Sequence, residues 1–488
     1  SSRCGRTPRR RAASVEERES GMTEALGIVV LVCLGYLLLT NLVYVVLVAI
    51  AAIENGVRRH ETSSEDYRVL ASSRFTIPVS VVVAAYDEES AIESTVRSLL
   101  ALDYPEYEVI VVNDGSNDAT LARLRDLFEL EPYEMFVRRV FATEEVCAIY
   151  RSAEHPNLVV VDKANGGKAD ALNAGLNVAR FRYVCGVDAD TVFDRDALLK
   201  GMRLVVQDPA RVIGVTSHLT IARDPEQAMA APPGKRPIDG SPLLAYQHLD
   251  YLRAFFNNRL AWSKLGFMLC SVGAFQIWRR DVLEEVGGYS REFTCEDIEL
   301  TFRVHERFLR EGRDYEILCL PDNVGTTEGP DTARKLVSQR ERWQRVIDET
   351  VWHYRGMWFR PRYKSVGLVG APFYLLTEVL APAFEVLALV SLPLALVLGV
   401  FDLAVFGVML LAIAFTNAAL TACAILLDDL QSRTYRKRDL ARLLLLAPFD
   451  LVLYRPLIVW ARLKGSWRFL RGDKAWHKFE RNAREAPA

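Results

Sequence analysis

The 488-residue chain has no CxxC pair: its eight cysteines (Cys4, Cys33, Cys147, Cys185, Cys270, Cys295, Cys319 and Cys423) are scattered through apolar contexts. That scatter argues against a zinc site or a disulfide framework and fits a reducing, cytosolic compartment for the soluble part. Excess charge is also missing. The formal net charge is −2, and no basic stripe interleaved with aromatics runs through the soluble part, which argues against nucleic acid as a partner. No GxGxxG follows a strand-like run. NGGKAD (165–170) has neither the six-residue spacing nor the Ser or Thr after Lys of a P-loop, so a dehydrogenase or P-loop ATPase does not fit.

Residues 25–53 contain no charged side chain at all, and residues 365–427 are strongly apolar, whereas 54–364 has an ordinary globular mixture. The pattern is that of a membrane protein with a large soluble domain. As a helix, 25–53 is about 44 Å long against roughly 30 Å of hydrocarbon, so it crosses once, tilted. Arg58 and Arg59 follow it and predict a cytosolic end; Arg360, Arg362 and Lys364, and later Arg433, Arg436, Lys437 and Arg438, do the same for two spans within 380–427. Residues 365–379 read as an interfacial helix carrying Glu378. Residues 440–460 read as an interfacial or re-entrant segment rather than a third span of this group, because a crossing would carry the basic tail 461–488 outside. Residues 1–21, Arg-rich and preceding Met22, read as an upstream extension.

The soluble domain, expected over 71–355, repeats one unit. TIPVSVVVAAYDEE is an apolar strand ending in a polar turn before a helical pattern; YEVIVVNDGSNDAT, NLVVVDKANGGKAD and RYVCGVDADT follow in the same style. Strands alternating with helices predict an α/β domain with a mostly parallel sheet. Ligands bind at the carboxyl ends of such strands, where the sequence places Tyr86, Glu88, Asp114, Lys168, Asp188 and Asp190. Two aspartates in VDAD at the end of a buried strand call for a cation, and hard oxygen ligands suit Mg²⁺ or Mn²⁺ bridging a diphosphate. Taken alone, the same residues also fit a solvated turn. TCEDIEL (294–300) gathers Glu296, Asp297 and Glu299; Thr294 three residues before Asp297 fits a capping box at a helix start. QRERW (339–343), in isolation, fits a packed indole and a surface arginine.

Seven segments in order, VSVVVAAYDEE, VNDGSNDAT, NGGKADALNAG, VDADT, GAFQIWRRD, TCEDIEL and QRERW, resemble the motifs of membrane-embedded family 2 glycosyltransferases such as cellulose, chitin, hyaluronan and poly-N-acetylglucosamine synthases. The resemblance covers about 75–360. It implies a GT-A fold in the cytosol of a multi-pass plasma-membrane protein, with flanking transmembrane and interfacial helices. It implies that Tyr86, Glu88 and Asp114 hold uridine, that Lys168 and Asp188 lie by the diphosphate, and that Asp190 ligates Mg²⁺ or Mn²⁺. Asp297 becomes the general base with Glu296 beside it, Gln339 and Arg342 face the pyrophosphate, and Trp343 faces the acceptor sugar. Glu299 is expected to be a polar helix residue only.

The implied partners are a UDP-sugar, a growing glycan or lipid acceptor, membrane lipids and accessory secretion proteins. Processive elongation of a β-linked polymer is the leading reading; transfer of one sugar to a lipid and an inert nucleotide-binding scaffold are its rivals. Two stretches depart from the compact pattern: 135–159 lengthens the route between strands, and the Pro- and Gly-rich 223–242 is expected to be a mobile loop. Trp476, with basic neighbours, reads equally as a gating element or a headgroup anchor.

Overall fold

The computed structural model describes residues 8–62, 76–232, 236–400, 402–432 and 435–473. Trp476, Arg433, Phe401 at the expected turn and residues 1–7 of the expected extension lie outside the described residues. The soluble domain is built on a ten-stranded sheet in the order β3-β4-β5-β2-β1-β6-β9-β8-β10-β7. Its centre is β1 (Val79–Ala85), β2 (Tyr107–Asp114), β5 (Leu158–Lys163) and β6 (Tyr183–Asp188), all mutually parallel.

These central strands are continuous apolar runs because both faces are covered. Val82, Ile110, Val112, Val159 and Val161 enter one core with the helices Lys168–Val178 and Glu296–Arg310. Val81, Val83, Val109, Val111 and Val160 alternate to the other, with the helices Ile92–Leu100 and Thr120–Leu127.

The sheet is less parallel than strand–helix alternation predicts. On one side β4 (Val146–Ser152) runs antiparallel to β5, and β3 (Leu130–Pro132) antiparallel to β4. On the other side β9 (Phe275–Arg279) runs antiparallel to both β6 and β8 (Val212–Ala222), while β10 (Glu316–Glu328) pairs parallel with β8 and antiparallel with β7 (Thr191–Phe193). Residues 133–145 make the turn between β3 and β4, and the short 153–157 connection makes the turn between β4 and β5, antiparallel reversals that need no crossover helix. The 133–145 stretch is pinned by Asn177, whose Oδ1 accepts from the amides of Val140 and Phe141.

Among the described residues two helices, Gly21–Glu61 and Leu403–Gln431, are long and apolar enough to cross a membrane. The first belongs to a single helix beginning at Pro8, which runs through the expected boundary at 21. Val366–Val379 with Ala381–Val397, bent by 42°, and Lys437–Leu453 with Arg455–Leu470, bent by 50°, reach that length only as pairs. The last helix passes the expected boundary at 461 and lies along Ala333–His353. There a methyl group at Gly465 would stand 2.4 Å from the carbonyl oxygen of Glu341, so the two backbones touch.

Candidate active site

One cavity of about 1580 Å³ opens at the carboxyl ends of the central strands. Tyr86, Glu88, Asp114, Lys168, Asp188, Asp190, Glu296, Asp297, Gln339, Arg342 and Trp343 all line it. Residues far apart in the sequence are thus brought into one space.

At the β1 and β2 ends, YDEE and DGSND clasp each other. Asp87 adopts a left-handed φ of 51°, its carboxylate accepts from the Asn117 amide at 2.7 Å, and the Asn117 side chain donates to the Tyr86 hydroxyl at 3.1 Å. Such strain in a non-glycine residue persists only where surroundings fix it. The Glu88 amide donates to Thr120 Oγ1 at 2.7 Å.

Asp114 is almost fully buried and already occupied. Its carboxylate accepts from Lys163 Nζ at 2.5 Å, from the Gly166 amide at 3.0 Å and from the Gly167 amide at 2.8 Å. It thus shapes the NGGK turn, which starts the 168–178 helix. Lys163, unremarked in the sequence, also meets buried Asp170 at 2.7 Å.

Lys168 joins the two ends of the site. Its Nζ lies 2.7 Å from Asp188 Oδ1 and 2.7 Å from Glu296 Oε1. Burial works against its charge, but the two carboxylates outweigh it and hold the ammonium well above its ordinary value. Burial, with Asp297 adding to it, pushes Glu296 up against the opposing pull of Lys168.

Asp190 accepts from Thr327 Oγ1 at 3.2 Å and Thr191 Oγ1 at 3.3 Å. Burial first, then Asp188 and Glu328, push its carboxyl up to about 7. Glu328, at the end of β10, is a contributor the sequence reading missed. Among the described residues no group of three or more His, Cys, Asp or Glu side chains forms a metal cage. A donor set of one or two carboxylates suits a cation that keeps water and phosphate as its other ligands.

Asp297 stands in the first turn of Glu296–Arg310. Its Oδ2 accepts from the Gly273 amide at 3.0 Å, and its Oδ1 from the Ile298 amide at 2.7 Å and from Cys295 Sγ at 3.1 Å. Burial and the carboxylates of Asp297 and Glu296 push Cys295 well up, so it serves as an S–H donor. Gly273 sits where a side chain would crowd the charged groups. A methyl group there would stand 3.0 Å from Asp297 Oδ2, 3.1 Å from Lys168 Nζ and 3.5 Å from Glu296 Oε1.

The capping box is not formed. The N-cap is Cys295 and no side chain caps the helix; the Thr294 hydroxyl donates to Glu349 Oε2 at 3.3 Å instead. Asp297 comes one position too early in the helix for the reciprocal bond and is turned toward Gly273. Glu299 is likewise more than a polar helix residue. It is 1 % exposed, pairs with Arg303 at 2.9 Å and accepts from the Tyr354 hydroxyl at 2.7 Å.

Gln339, Arg342 and Trp343 share one face of Ala333–His353, at helical spacing. Arg340, which the sequence reading passed over, stacks its guanidinium 4.2 Å from the Trp343 ring centroid and pairs with Asp250 at 3.0 Å. The Tyr251 ring lies 6.2 Å from that of Trp343, and the Arg340 guanidinium is 5.5 Å from the Tyr251 centroid as well. An indole braced by a cation and a tyrosine is a platform for a flat apolar face.

Comparison with known proteins agrees with this geometry. Residues 128–345 match the model of the glycosyltransferase-like family 2, and residues 80–140 match that of glycosyl transferase family 2. Residues 80–345 thus carry family 2 glycosyltransferase domains. It is 27% identical over 291 residues to a poly-β-1,6-N-acetyl-D-glucosamine synthase of Staphylococcus epidermidis, covering 59% of each chain. To the Staphylococcus aureus (strain COL) synthase of the same name it is 27% identical over 266 residues, 54% of this chain and 53% of that one. The match spans little more than half the length of these curated relatives. Among solved structures, a mannosyltransferase of Pyrobaculum calidifontis, in complex with GDP-Man and Mn²⁺, superimposes with a TM-score of 0.51 at 18% identity, over 92% of this chain and 99% of that one. That likeness is one of fold, and the family 2 domain here is the α/β GT-A domain expected from its motifs.

Proposed function

We propose that this family 2 protein is a membrane-bound inverting glycosyltransferase that uses a UDP-sugar to elongate a β-linked polysaccharide, of N-acetylglucosamine or glucose, and passes the product outward. The observation that carries the reading is the continuity of the cavity. Asp297, Lys168, Asp188 and Trp343 line the same space as Asn41 of the first long helix, Asn417 of Leu403–Ser432 and Arg455 beyond the last bend. A polymer leaving the Trp343 platform has a route toward the apolar helices.

In this reading Tyr86, Glu88 and Asp114 hold the uridine end, the last by shaping the loop whose Lys168 reaches the diphosphate. An acceptor hydroxyl rests on Trp343 and gives its proton to an Asp297 carboxylate oxygen as its own oxygen attacks the anomeric carbon. The new C–O bond forms as the bond to the diphosphate breaks, and the electron pair leaves with UDP. One displacement from the far side, with no enzyme nucleophile, turns an α-linked donor into a β-linked product. Lys168, Gln339 and Arg342 face the charge that develops on the leaving group. Asp190, aided by Asp188, would hold a divalent cation, Mg²⁺ or Mn²⁺, whose contribution is to neutralise the diphosphate.

The chain is multi-pass in the plasma membrane with its catalytic domain in the cytosol, and membrane lipids and accessory secretion proteins are its further partners. Supplying the purified protein with single UDP-sugars and Mg²⁺ or Mn²⁺, then measuring UDP release and product size, tests the reading. Long β-linked chains support it. Products that stop at one sugar on a lipid, with donor in excess, favour the lipid-acceptor reaction, and no release with any UDP-sugar removes the activity altogether.

A further inference from the structure

Between the transfer site and the apolar helices, the cavity wall is formed by one interrupted helix. It runs as Pro242–Tyr251, widens into a π-helical stretch over Leu252–Asn257, and resumes as Asn258–Leu265. Such single widened turns inside α-helices concentrate at functional positions. At its upper end Tyr251 flanks Trp343, 6.2 Å between ring centroids. Two residues on, Arg253 Nη1 reaches Asp450 at 2.8 Å and Asn417 Oδ1 at 3.1 Å, tying the wall to the membrane-facing helices.

Asn257 closes the widened turn. It lines the cavity, is 1 % exposed, and neither its amide nitrogen nor its amide oxygen has a hydrogen-bond partner among the described residues. A buried carboxamide with both ends unmet is costly, and native interiors almost always satisfy such groups. Neighbouring Arg253, Arg340 and Asp250 each make at least one ion pair, with one another or with Asp450, whereas Asn257 makes no side-chain hydrogen bond at either end among the described residues. A structural asparagine at this position could be replaced by leucine of nearly equal size at no loss to the fold.

We infer that Asn257 is a carbohydrate-binding residue, whose amide exchanges hydrogen bonds with a hydroxyl or acetamido group of the sugar next to the one on Trp343. The inference rests on the glycosyltransferase reading for the identity of the ligand. Its chemistry is that of a neutral group with both donors and acceptors, which a carboxamide matches at both ends. Asn257 is unfilled when the cavity is empty and satisfied when a glycan occupies it.

The test compares full-length wild type, Asn257→Leu and Asn257→Asp in detergent, with a β-1,6-linked N-acetylglucosamine tetrasaccharide and its de-N-acetylated form as probes. Binding is read by calorimetry, the melting temperature without glycan is measured in parallel, and UDP affinity serves as the control for an intact nucleotide site. The expected result is about tenfold weaker tetrasaccharide binding in Asn257→Leu, ~1.4 kcal/mol, with UDP affinity unchanged and a melting temperature equal to or above wild type. Asn257→Asp, which keeps size and acceptors but loses the N–H donors, falls between them and covers the case in which the leucine variant does not fold. A larger loss for the acetylated probe than for its amine form assigns the contact to the acetamido group; equal losses assign it to a hydroxyl. Unchanged glycan binding in both variants overturns the inference, as does a lower melting temperature with unchanged binding. Because binding is read directly, a wild type that binds the tetrasaccharide but transfers nothing from UDP-sugars refutes the transferase reading and leaves this one standing.

Discussion

Replacing Gly273 by alanine adds one methyl group at the point where the Asp297 carboxylate, the proposed base, and the bridging Lys168 ammonium come together. The methyl would lie 3.0 Å from Asp297 Oδ2 and 3.1 Å from Lys168 Nζ, closer than a carbon comfortably approaches either. Both must retreat by a few tenths of an ångström. The backbone itself tolerates the change, since Gly273 is not among the positive-φ glycines. Stability should therefore fall little while the reacting geometry loosens. A misplacement of about 1 Å costs roughly 100-fold in rate, so a shift of a few tenths predicts a drop in kcat of roughly three- to tenfold. Lys168 moves with the same step, so its links to Asp188 and Glu296 lengthen and UDP binding weakens severalfold. The assay is steady-state UDP release with the donor that the wild type uses, alongside calorimetric UDP binding and a melting curve. Wild-type kcat in a folded Gly273→Ala protein would refute the placement of Asp297 and Lys168 around the reacting atoms.

Three further outcomes follow from the same geometry. Asp297→Asn should lower transfer by 10²–10⁴, the usual contribution of a general base, and leave UDP affinity largely intact, as measured by turnover and calorimetry on the same preparation. Gly465→Ala should force the 455–470 and 333–353 helices apart, because its methyl meets the Glu341 carbonyl at 2.4 Å and Gln344 Cβ at 2.8 Å. Overpacking of this kind costs about 1–3 kcal/mol, visible as a lower melting temperature, with Trp343 displaced and acceptor KM raised. His305 is held neutral by burial, which lowers its pKa from 6.5 to about 4. The unfolded chain takes up a proton between those values while the folded one does not, so stability rises with pH through that window and is lost as pH falls from about 6.5 to 4. The full loss is on the order of 3 kcal/mol, of which about 2 kcal/mol is reached by pH 5, and melting curves at pH 7 and pH 5 should show it, the fall being smaller in His305→Gln.

Much of this site is legible in the sequence because its parts are local. An apolar strand followed by an acidic turn must put the acid at the strand's end, and the helical spacing of Gln339, Arg342 and Trp343 must put them on one face. What the sequence could not carry was contact across the sheet. Lys168 and Glu296 meet only because the parallel β5–β6 crossover and the β9–β10 connection deliver the 168–178 and 296–310 helices to the same end. Gly273 matters only through the atoms that crowd it.

The antiparallel flanks escaped because apolar strands read alike in either direction; β4 and β9 carry no mark of which way they pair. The capping box failed for a different reason. Thr294 and Asp297 have the spacing, but the helix begins a residue later and both side chains have stronger partners in Glu349 and the Gly273 amide. The 440–460 segment was ambiguous because an apolar face suits lipid and protein equally. The helix Arg455–Leu470 instead covers Ala333–His353, through Arg462 to Gln344 at 2.7 Å and Ser466 to Asp348 at 2.6 Å.

The most direct test of the account is a single time course of the purified full-length protein with UDP-N-acetylglucosamine and Mg²⁺ or Mn²⁺, following UDP release and product length together, with Asp297→Asn run beside it. The account predicts UDP release accompanied by lengthening β-linked chains in the wild type, and neither in the variant. Chains that lengthen equally in the variant would contradict it.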